Sequence, residues 1–504
     1  MKAPFLTFLF LVFAFSCQSP KNENREPNKP RTIVTTDGEI DDIDSFIRLL
    51  LYANEFHIEG LIYSSSMWHY KGDGKGTTFI SEMEMTKNMY GEQTDLRWPG
   101  ETWMEDLIAA YEKVFPNLIK HAATYPAPDY LRSLIRVGNI DFEGEMEKDT
   151  EGSDYIKKKL LDDTEEPIYL QVWGGTNTIA RALKSIEEEF KGSDKWEGIY
   201  KKVCDKAIIY TILDQDATYR KYISKNWQDI SIYYNANQFW CFAYPWKSAV
   251  PKAWHRYLEG EFMGQNIILN HGDLTQMYYS YGDGKKQEGD DEHIHGDSTQ
   301  LKNAQWGSFK KFDFISEGDS PAFFHLIDTG LDNLDNPHYG GWGGRLVQSE
   351  QDPNRWEDGK GASDYNPFTD TLDTTYPQTR WVKTLQNDFA ARADWCIKDY
   401  ENANHPPQVL LEQKTLTAKA GEKIELMAKA NDPDGDELKY QWWQYEEVDT
   451  YDGKVNLNVS NQIGLTFTMP NDIQKGETIH LILEVTDSGS YPMTRYQRAI
   501  ITCL

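Results

Sequence analysis

From residue 31 the chain alternates between two hydrophobic periods. RTIVTT (31–36) is an apolar run of strand length, and IDSFIRLLLYAN (43–54) follows it with helical spacing. FHIEGLIYSSS (56–66) is a second strand that ends in small polar residues. The alternation continues through a helix at 103–114, the strand PIYLQVWGG, the helix TNTIARALKSIEEEF, and the strands KAIIYTI and DISIYYN. Strands alternating with helices predict a mainly parallel, Rossmann-type α/β sheet flanked by helices. The loops at its strand C-terminal ends are then the place for a site. From about 236 to 316 the pattern gives way to Gly- and Asp-rich loops, and the amphipathic stretch TRWVKTLQNDFAARADWCIKDYEN (379–402) closes the unit.

NANHPPQV (402–409) reads as a linker, because two prolines cannot continue a helix. Beyond it the period changes to two. KTLTAKAG, KIELMAKAND, LKYQWWQYE, LTFTMP, IHLILEVTD and YQRAIITCL are short alternating strands between turns, which predicts a C-terminal antiparallel β-sandwich. The resulting division is 31–404 for the α/β domain and 405–504 for the sandwich. Ahead of both, Lys2 and the apolar run Pro4 to Phe15 have signal-peptide length, too short for a comfortable membrane span. Ala14-Phe15-Ser16-Cys17 reads as a lipobox, so residues 1–17 are expected to direct export and Cys17 to carry a lipid, with 18–30 as a polar tether. Ordinary cleaved secretion is the alternative.

Composition narrows the function. The 504 residues carry a net charge of -28, which repels phosphate backbones and anionic lipid and favours a neutral small molecule or glycan as ligand. Aromatic residues reach 13%, a level that serves sugar stacking as well as core filling. Cys204, Cys241, Cys396 and Cys503 are too sparse to define a disulfide framework.

The segment Val34-Thr35-Thr36-Asp37-Gly38-Glu39-Ile40-Asp41-Asp42 joins the first strand to the first helix. Carboxylates crowded into one turn repel each other unless a cation sits among them, and Ca2+ with 6–8 oxygen ligands is suited to the task. The spacing does not fit an EF-hand, since Asp42 stands where such a loop needs glycine. On spacing alone, ordinary acidic decoration of a helix N-terminus remains equally open.

TTDGEIDD resembles the DTDPGIDD signature of the nucleoside hydrolases, and two later segments match that superfamily in order: VWGGTNTIARAL (172–183) and EGDSPAFFHLI (317–327). The resemblance implies a metal held by Asp37, Asp42, Asp319 and the backbone carbonyl of Trp173. It also implies Asp37 as general base and Asp41 as the group that grips a sugar hydroxyl. Ser66 falls where the family places a sugar-binding Asn. Thr35 replaces the family's outermost Asp, and Gly318, preceded by Glu317, stands where purine-acting members carry a His. The chain more closely resembles a bacterial family described as cellulose-binding proteins with a nucleoside-hydrolase-like domain, through RTIVTTDGEIDD, Asp214-Gln215-Asp216, GDSPAF, Gly340 to Arg345 and QNDFAARADW. Asn177, Asp214, Gln215, Asp216, Glu317, Trp342 and Arg345 are the candidate substrate contacts, although the Gly340 to Arg345 run is equally a tight loop packed beside Trp342; either Glu317 or Asp216 replaces the missing His as leaving-group acid, or the leaving group is not a nucleobase. The likeness also implies that the C-terminal sandwich is Ig-like.

Three further features stay open. His293 and His295 with Asp291 and Asp297 form either a transition-metal site or a solvated loop. NDPDGDEL (431–438) is a turn or a peripheral calcium site. Trp442 and Trp443 point to opposite faces of one strand, one into the core and the other as a sugar platform. Together the features suggest a calcium-dependent glycosidase cleaving an N- or O-glycosidic bond, or else a non-catalytic surface protein that binds a cellulose-like polysaccharide.

Overall fold

The computed structural model describes residues 29–289, 295–457 and 460–504. The expected signal peptide, the expected lipobox Cys17, most of the expected tether, Asp291 and His293 lie outside the described residues.

Strand β1 (Arg31–Thr36) is buried along its whole length and leads into helix α1 (Ile40–Leu51). Strand β2 (His57–Tyr63), equally buried, is followed by helix α2 (Trp103–His121), strand β3 (Ile135–Val137) and helix α3 (Glu151–Leu161). Then come β4 (Ile168–Val172), α4 (Asn177–Phe190), β5 (Ala207–Ile212) and β6 (Ser231–Asn235). The short helix α5 (Ser320–Phe324), strands β7 (Val347–Gln348) and β8 (Arg355–Glu357), and helix α6 (Val382–Trp395) complete the unit.

These strands form one eight-stranded sheet in the order β3-β2-β1-β4-β5-β6-β8-β7. All neighbours are parallel except the edge pair β8 and β7. Continuous burial of β1, β2 and β4 follows from helices covering both faces, which a parallel sheet requires. Helix α1 is buried nearly all round, which forces its polar residues to find partners inside: Asp44 accepts the Tyr279 N–H at 2.7 Å. Between β6 and α5 the loop-rich stretch contains only short helical turns among the described residues.

The sandwich has strands β9 (Gln408–Leu411), β10 (Thr415–Ala418), β11 (Lys423–Leu426), β12 (Ala428–Asn431), β13 (Lys439–Gln444), β14 (Leu465–Thr468), β15 (Thr478–Thr486) and β16 (Thr494–Cys503). Its largest sheet runs β10-β16-β15-β13; β10 pairs parallel with β16, and the other pairs are antiparallel. Trp442 belongs to the sandwich core. The outer face of the sheet docks on the α/β domain: Tyr445, Val448, Ile482, Met493 and Tyr496 join the core cluster of that domain. Hydrogen bonds seal the contact, from Tyr496 N to the Thr329 carbonyl (2.8 Å) and from the Tyr445 hydroxyl to Asp364 (2.7 Å). All four described cysteines are buried free thiols.

Candidate metal and active site

The site forms where β1 ends and α1 begins. Asp37 directly follows the strand, and Gly38 then turns the chain with φ +79°. A Cβ at Gly38 would fall 2.7 Å from both Pro99 Cγ and Trp103 Nε1, so glycine is required for the turn and for the close packing beneath it. The turn places Asp41 and Asp42 in the first turn of α1, where free backbone N–H groups favour carboxylates. The Asp42 N–H donates to Asp41 at 3.2 Å, and the Thr36 hydroxyl donates to Asp42.

Asp319, immediately before α5, approaches from the far side of the sequence. Asp41, Asp42 and Asp319 each offer an oxygen, all within 4.8 Å of one another. The approach depends on Gly318, where a Cβ would lie 2.8 Å from Asp41 Oδ2. Asp37 stands beside this trio. Its Oδ1 accepts the Glu39 N–H at 3.3 Å, while its buried Oδ2 has no hydrogen-bond partner among the described residues. Gly174, after β4, makes room for it: a Cβ there would come 2.9 Å from Asp37 Cγ. Of the expected ligand set, Asp42 and Asp319 come together with Asp41, and the charge of the neighbouring Asp37 acts on all three.

Two residues that sequence reasoning passed over complete the site. Fully buried His69 places Nδ1 3.8 Å from Asp37 Oδ2 and 4.0 Å from Glu39 Oε2. It is aimed there by Ser66, whose hydroxyl accepts the N–H groups of Trp68 (2.9 Å) and His69 (3.3 Å) and folds the loop back. The only local sign was a serine three residues ahead of the histidine, a weak signal. Glu39 itself is held by the Tyr244 hydroxyl at 2.8 Å.

Burial, and after it the charge of Asp37, pushes the Asp41 carboxyl up to about 7. Burial and then Asp41 push Glu39 up to about 8. Asp42 and Asp319 are driven well above the ordinary range by burial and by neighbouring carboxylates. For Asp37 burial acts upward, but His69, Ser66 and the Glu39 N–H outweigh it and hold the group below its usual value. Such a gathering of buried acids, with one carboxylate oxygen accepting no hydrogen bond, has the donor set of a hard-cation site: oxygen ligands only, converging, with charge to neutralise. Asp41 and Glu39 are the members partly open to solvent.

The remaining expected contacts are engaged within the protein. Asp216 caps α4, accepting the Asn177 N–H (2.9 Å) and both the N–H and the hydroxyl of Thr218 (3.0 and 2.7 Å). The Asn177 amide donates to Ser65 Oγ and the Asn139 carbonyl, both at 2.9 Å. Gln215 donates to the Trp173 carbonyl at 2.7 Å, which leaves that oxygen one lone pair. Asp214 pairs with Arg220 at 2.8 Å. Glu317 lies fully buried against Arg48 Nε at 2.9 Å and takes hydrogen bonds from Tyr278 and Ser320. Trp342 is entirely buried, and Arg345 pairs with Asp364 at 2.8 Å. Asn177, Asp216, Glu317 and Arg345 thus have polar atoms engaged within the protein, and the Trp342 ring is enclosed. Ser66 acts by shaping the His69 loop.

His295 is buried near Tyr281, whose ring lies 5.0 Å away, while Asp297 closes its own turn by accepting the Thr299 N–H at 2.8 Å. Asp432, Asp434 and Asp436 also cluster, but Asp434 is bonded to His405 at 2.9 Å.

A mainly parallel α/β sheet with carboxylates converging at the C-terminal end of its central strand, joined to a β-sandwich, defines a nucleoside-hydrolase-like domain with an appended module. The chain belongs to the family "Cellulose-binding Sde182, nucleoside hydrolase-like domain", whose model matches residues 31–346. A second family model, "Cellulose-binding protein Sde0182, C-terminal domain", matches residues 423–503. Among solved structures, a nucleoside hydrolase-related hypothetical protein from Saccharophagus degradans, described as associated with carbohydrate metabolism, is similar at 25% identity and TM-score 0.69, covering 94% of this chain and 100% of its own. A plant nucleoside hydrolase matches at 11% identity and TM-score 0.32, covering 73% of this chain and 99% of its own, too remote to carry an argument. No curated protein matches the chain.

Proposed function

We propose that this protein is a calcium-dependent glycosidase acting on a neutral glycan, exported and anchored through Cys17. The observation that carries the reading is the convergence of Asp41, Asp42 and Asp319 within 4.8 Å beside Asp37, whose Oδ2 accepts no hydrogen bond and has His69 Nδ1 at 3.8 Å. Asp42, Asp319 and Asp41 are the groups to hold Ca2+, with the free lone pair of the Trp173 carbonyl in reserve. When bound, the ion supplies positive charge that neutralises the cluster and acidifies a water.

The chain's own residues do the rest. Asp37, kept ionised by His69, takes a proton from the attacking water. His69 is a positioning residue that holds Asp37 and Glu39 in place. The solvent-facing side of Asp41 orients a sugar hydroxyl. Net charge -28 favours a neutral substrate over an acidic one.

A non-catalytic polysaccharide-binding role is the second reading. It is favoured by the depth of the cluster, since Asp37, Asp42 and Asp319 are at most 2% exposed. Release of reducing sugar from neutral oligosaccharides and nucleosides in calcium, with Asp37→Asn as control, tests the two. Release abolished by the substitution supports hydrolysis here. No release, with retention on insoluble glycan, selects the binder.

A further inference from the structure

Away from the acidic site, a cleft opens where the sandwich meets α6. It has a volume of about 440 Å3 and is walled by Trp254, Tyr376, Trp381, Trp443 and Tyr496. A second, shallower cavity of about 690 Å3 runs on from it toward Tyr440 and Ser488. The two share Lys383, Gln441, Glu484, Thr486 and Pro492 as lining, so they form one continuous groove. Helix α6 supplies one wall, through Lys383, Thr384 and Asn387, and the outer face of β13 and β15 supplies the other.

Strand geometry explains that outer face. Trp442 points into the sandwich core, so its neighbours Gln441 and Trp443 point outward, with Gln441 paired to Glu484 and Trp443 to Ile482. Trp443 is half-buried and fixed in place: the Arg380 guanidinium sits 4.7 Å from its ring centroid, and Trp381 lies 6.3 Å away. Arg380 is itself tied to Asp364 at 3.1 Å. Trp254 is steadied by Phe368, edge to face at 5.5 Å. The indole N–H groups of Trp254 and Trp381 have no acceptor among the described residues, and Trp381 is only 3% exposed.

We propose that this groove binds a linear neutral pyranose chain. At one end the half-buried rings of Trp254 and Trp443, backed by the buried Tyr376, Trp381 and Tyr496, suit the apolar faces of sugar rings. Amide, hydroxyl and carboxylate groups along the walls suit their hydroxyls. Lys383 and Lys439 are balanced by Glu484 and Asp487, which selects neither anionic nor cationic ligands. Peptides offer less regular stacking to such a surface. The ligand class rests on the glycan reading above, but the site does not, because the groove shares no residue with the carboxylate cluster.

The test is calorimetric titration of the detergent-solubilised full chain with cellohexaose, using hexagalacturonate as the anionic comparison. Gln441→Arg, at an exposed position, fills the groove without touching the interface. It and Trp443→Ala are expected to weaken cellohexaose binding about tenfold or more. Asp37→Asn is expected to bind as the parent does. The thermal midpoint of Gln441→Arg serves as the folding control. The proposal is overturned if cellohexaose does not bind, if Gln441→Arg binds unchanged, if hexagalacturonate binds better, or if Asp37→Asn rather than the groove variants loses binding. Retained groove binding without any hydrolysis would defeat the glycosidase reading and leave this one standing.

Discussion

Removing calcium should make the protein's stability fall as pH rises, and restoring it should reverse the fall. An acid whose folded pKa lies above its unfolded value penalises the folded state only where the unfolded chain has already released its proton. Asp41, pushed up to about 7, and Glu39, pushed up to about 8, therefore begin to destabilise the ion-free fold above about pH 4, and the penalty grows until pH 7–8. Asp42 and Asp319 are displaced in the same direction. A displacement of three units is on the order of 4 kcal/mol for an isolated group. Shared charge within the cluster and the partial exposure of Asp41 reduce the net effect to about 2 kcal/mol. A cation held by the same oxygens acts oppositely. At a hundred times its dissociation constant it contributes about 2.7 kcal/mol, and it does so only where the ligands are ionised.

Differential scanning fluorimetry with EDTA or 1 mM CaCl2, at pH 5 and pH 8, reads both effects. In EDTA the midpoint should drop between pH 5 and pH 8. Calcium should raise it by about 3 °C at pH 8 and by much less at pH 5. Asp42→Asn should abolish the calcium response while making the ion-free protein less sensitive to pH. A calcium shift equal at both pH values, or one that survives Asp42→Asn, would refute the assignment of these carboxylates as the cation site.

Three shorter predictions follow from packing. Gly174→Ala puts a Cβ 2.9 Å from Asp37 Cγ, so hydrolysis should fall at least tenfold while calorimetry shows calcium still bound. Glu317→Gln leaves the fully buried Arg48 without its counter-charge, and the protein should lose about 3–5 kcal/mol in chemical denaturation, a loss foreign to a solvent-facing catalytic acid. His69→Ala should reduce kcat with little change in KM and should move the acid limb of the pH–rate profile upward, because the group that depresses Asp37 is gone.

The strand-helix order of the first domain was legible because its periods are strong: RTIVTT, PIYLQVWGG and TNTIARALKSIEEEF all stand as read, in a sheet buried on both faces. The three-residue strands Ile135–Val137 and Arg355–Glu357 were not, since three residues carry no period and these two are placed by their neighbours. Carboxylates close in sequence could be recognised as a cluster, and the resemblance brought in Asp319. Sequence spacing could not say which of Asp37 and Asp41 turns toward Asp42, because that depends on Gly318 and Gly174, two distant glycines whose missing side chains set the available space. His69 was hidden for a related reason: a histidine in a loop becomes part of a site only through where the loop folds. Buried ion pairs could not be read from the sequence either. Glu317 and Arg345 sit in motif-like segments, yet their partners Arg48 and Asp364 lie far away in sequence, so their structural role was invisible until the chain folded.

The two departures from the nucleoside hydrolase pattern have different weight. Thr35 donates its hydroxyl to the Gln171 carbonyl at 3.1 Å, within the sheet and beneath the cluster. Its exchange for an acid therefore removes one charge from a site that keeps three converging carboxylates. Gly318 matters more. Asp41 Oδ2 lies 2.8 Å from where any Cβ at this position would stand, so a histidine there would displace the carboxylate that completes the trio. A residue larger than glycine here would therefore have to move the Asp41 carboxylate from its present place beside Asp42 and Asp319. A departing purine and a departing sugar oxygen both need a proton, the oxygen more so because an alkoxide is the more basic leaving group. Gly318 therefore takes away the acid that purine-acting relatives place here, and cleavage of either bond at this site has to draw its leaving-group proton from another group or from water.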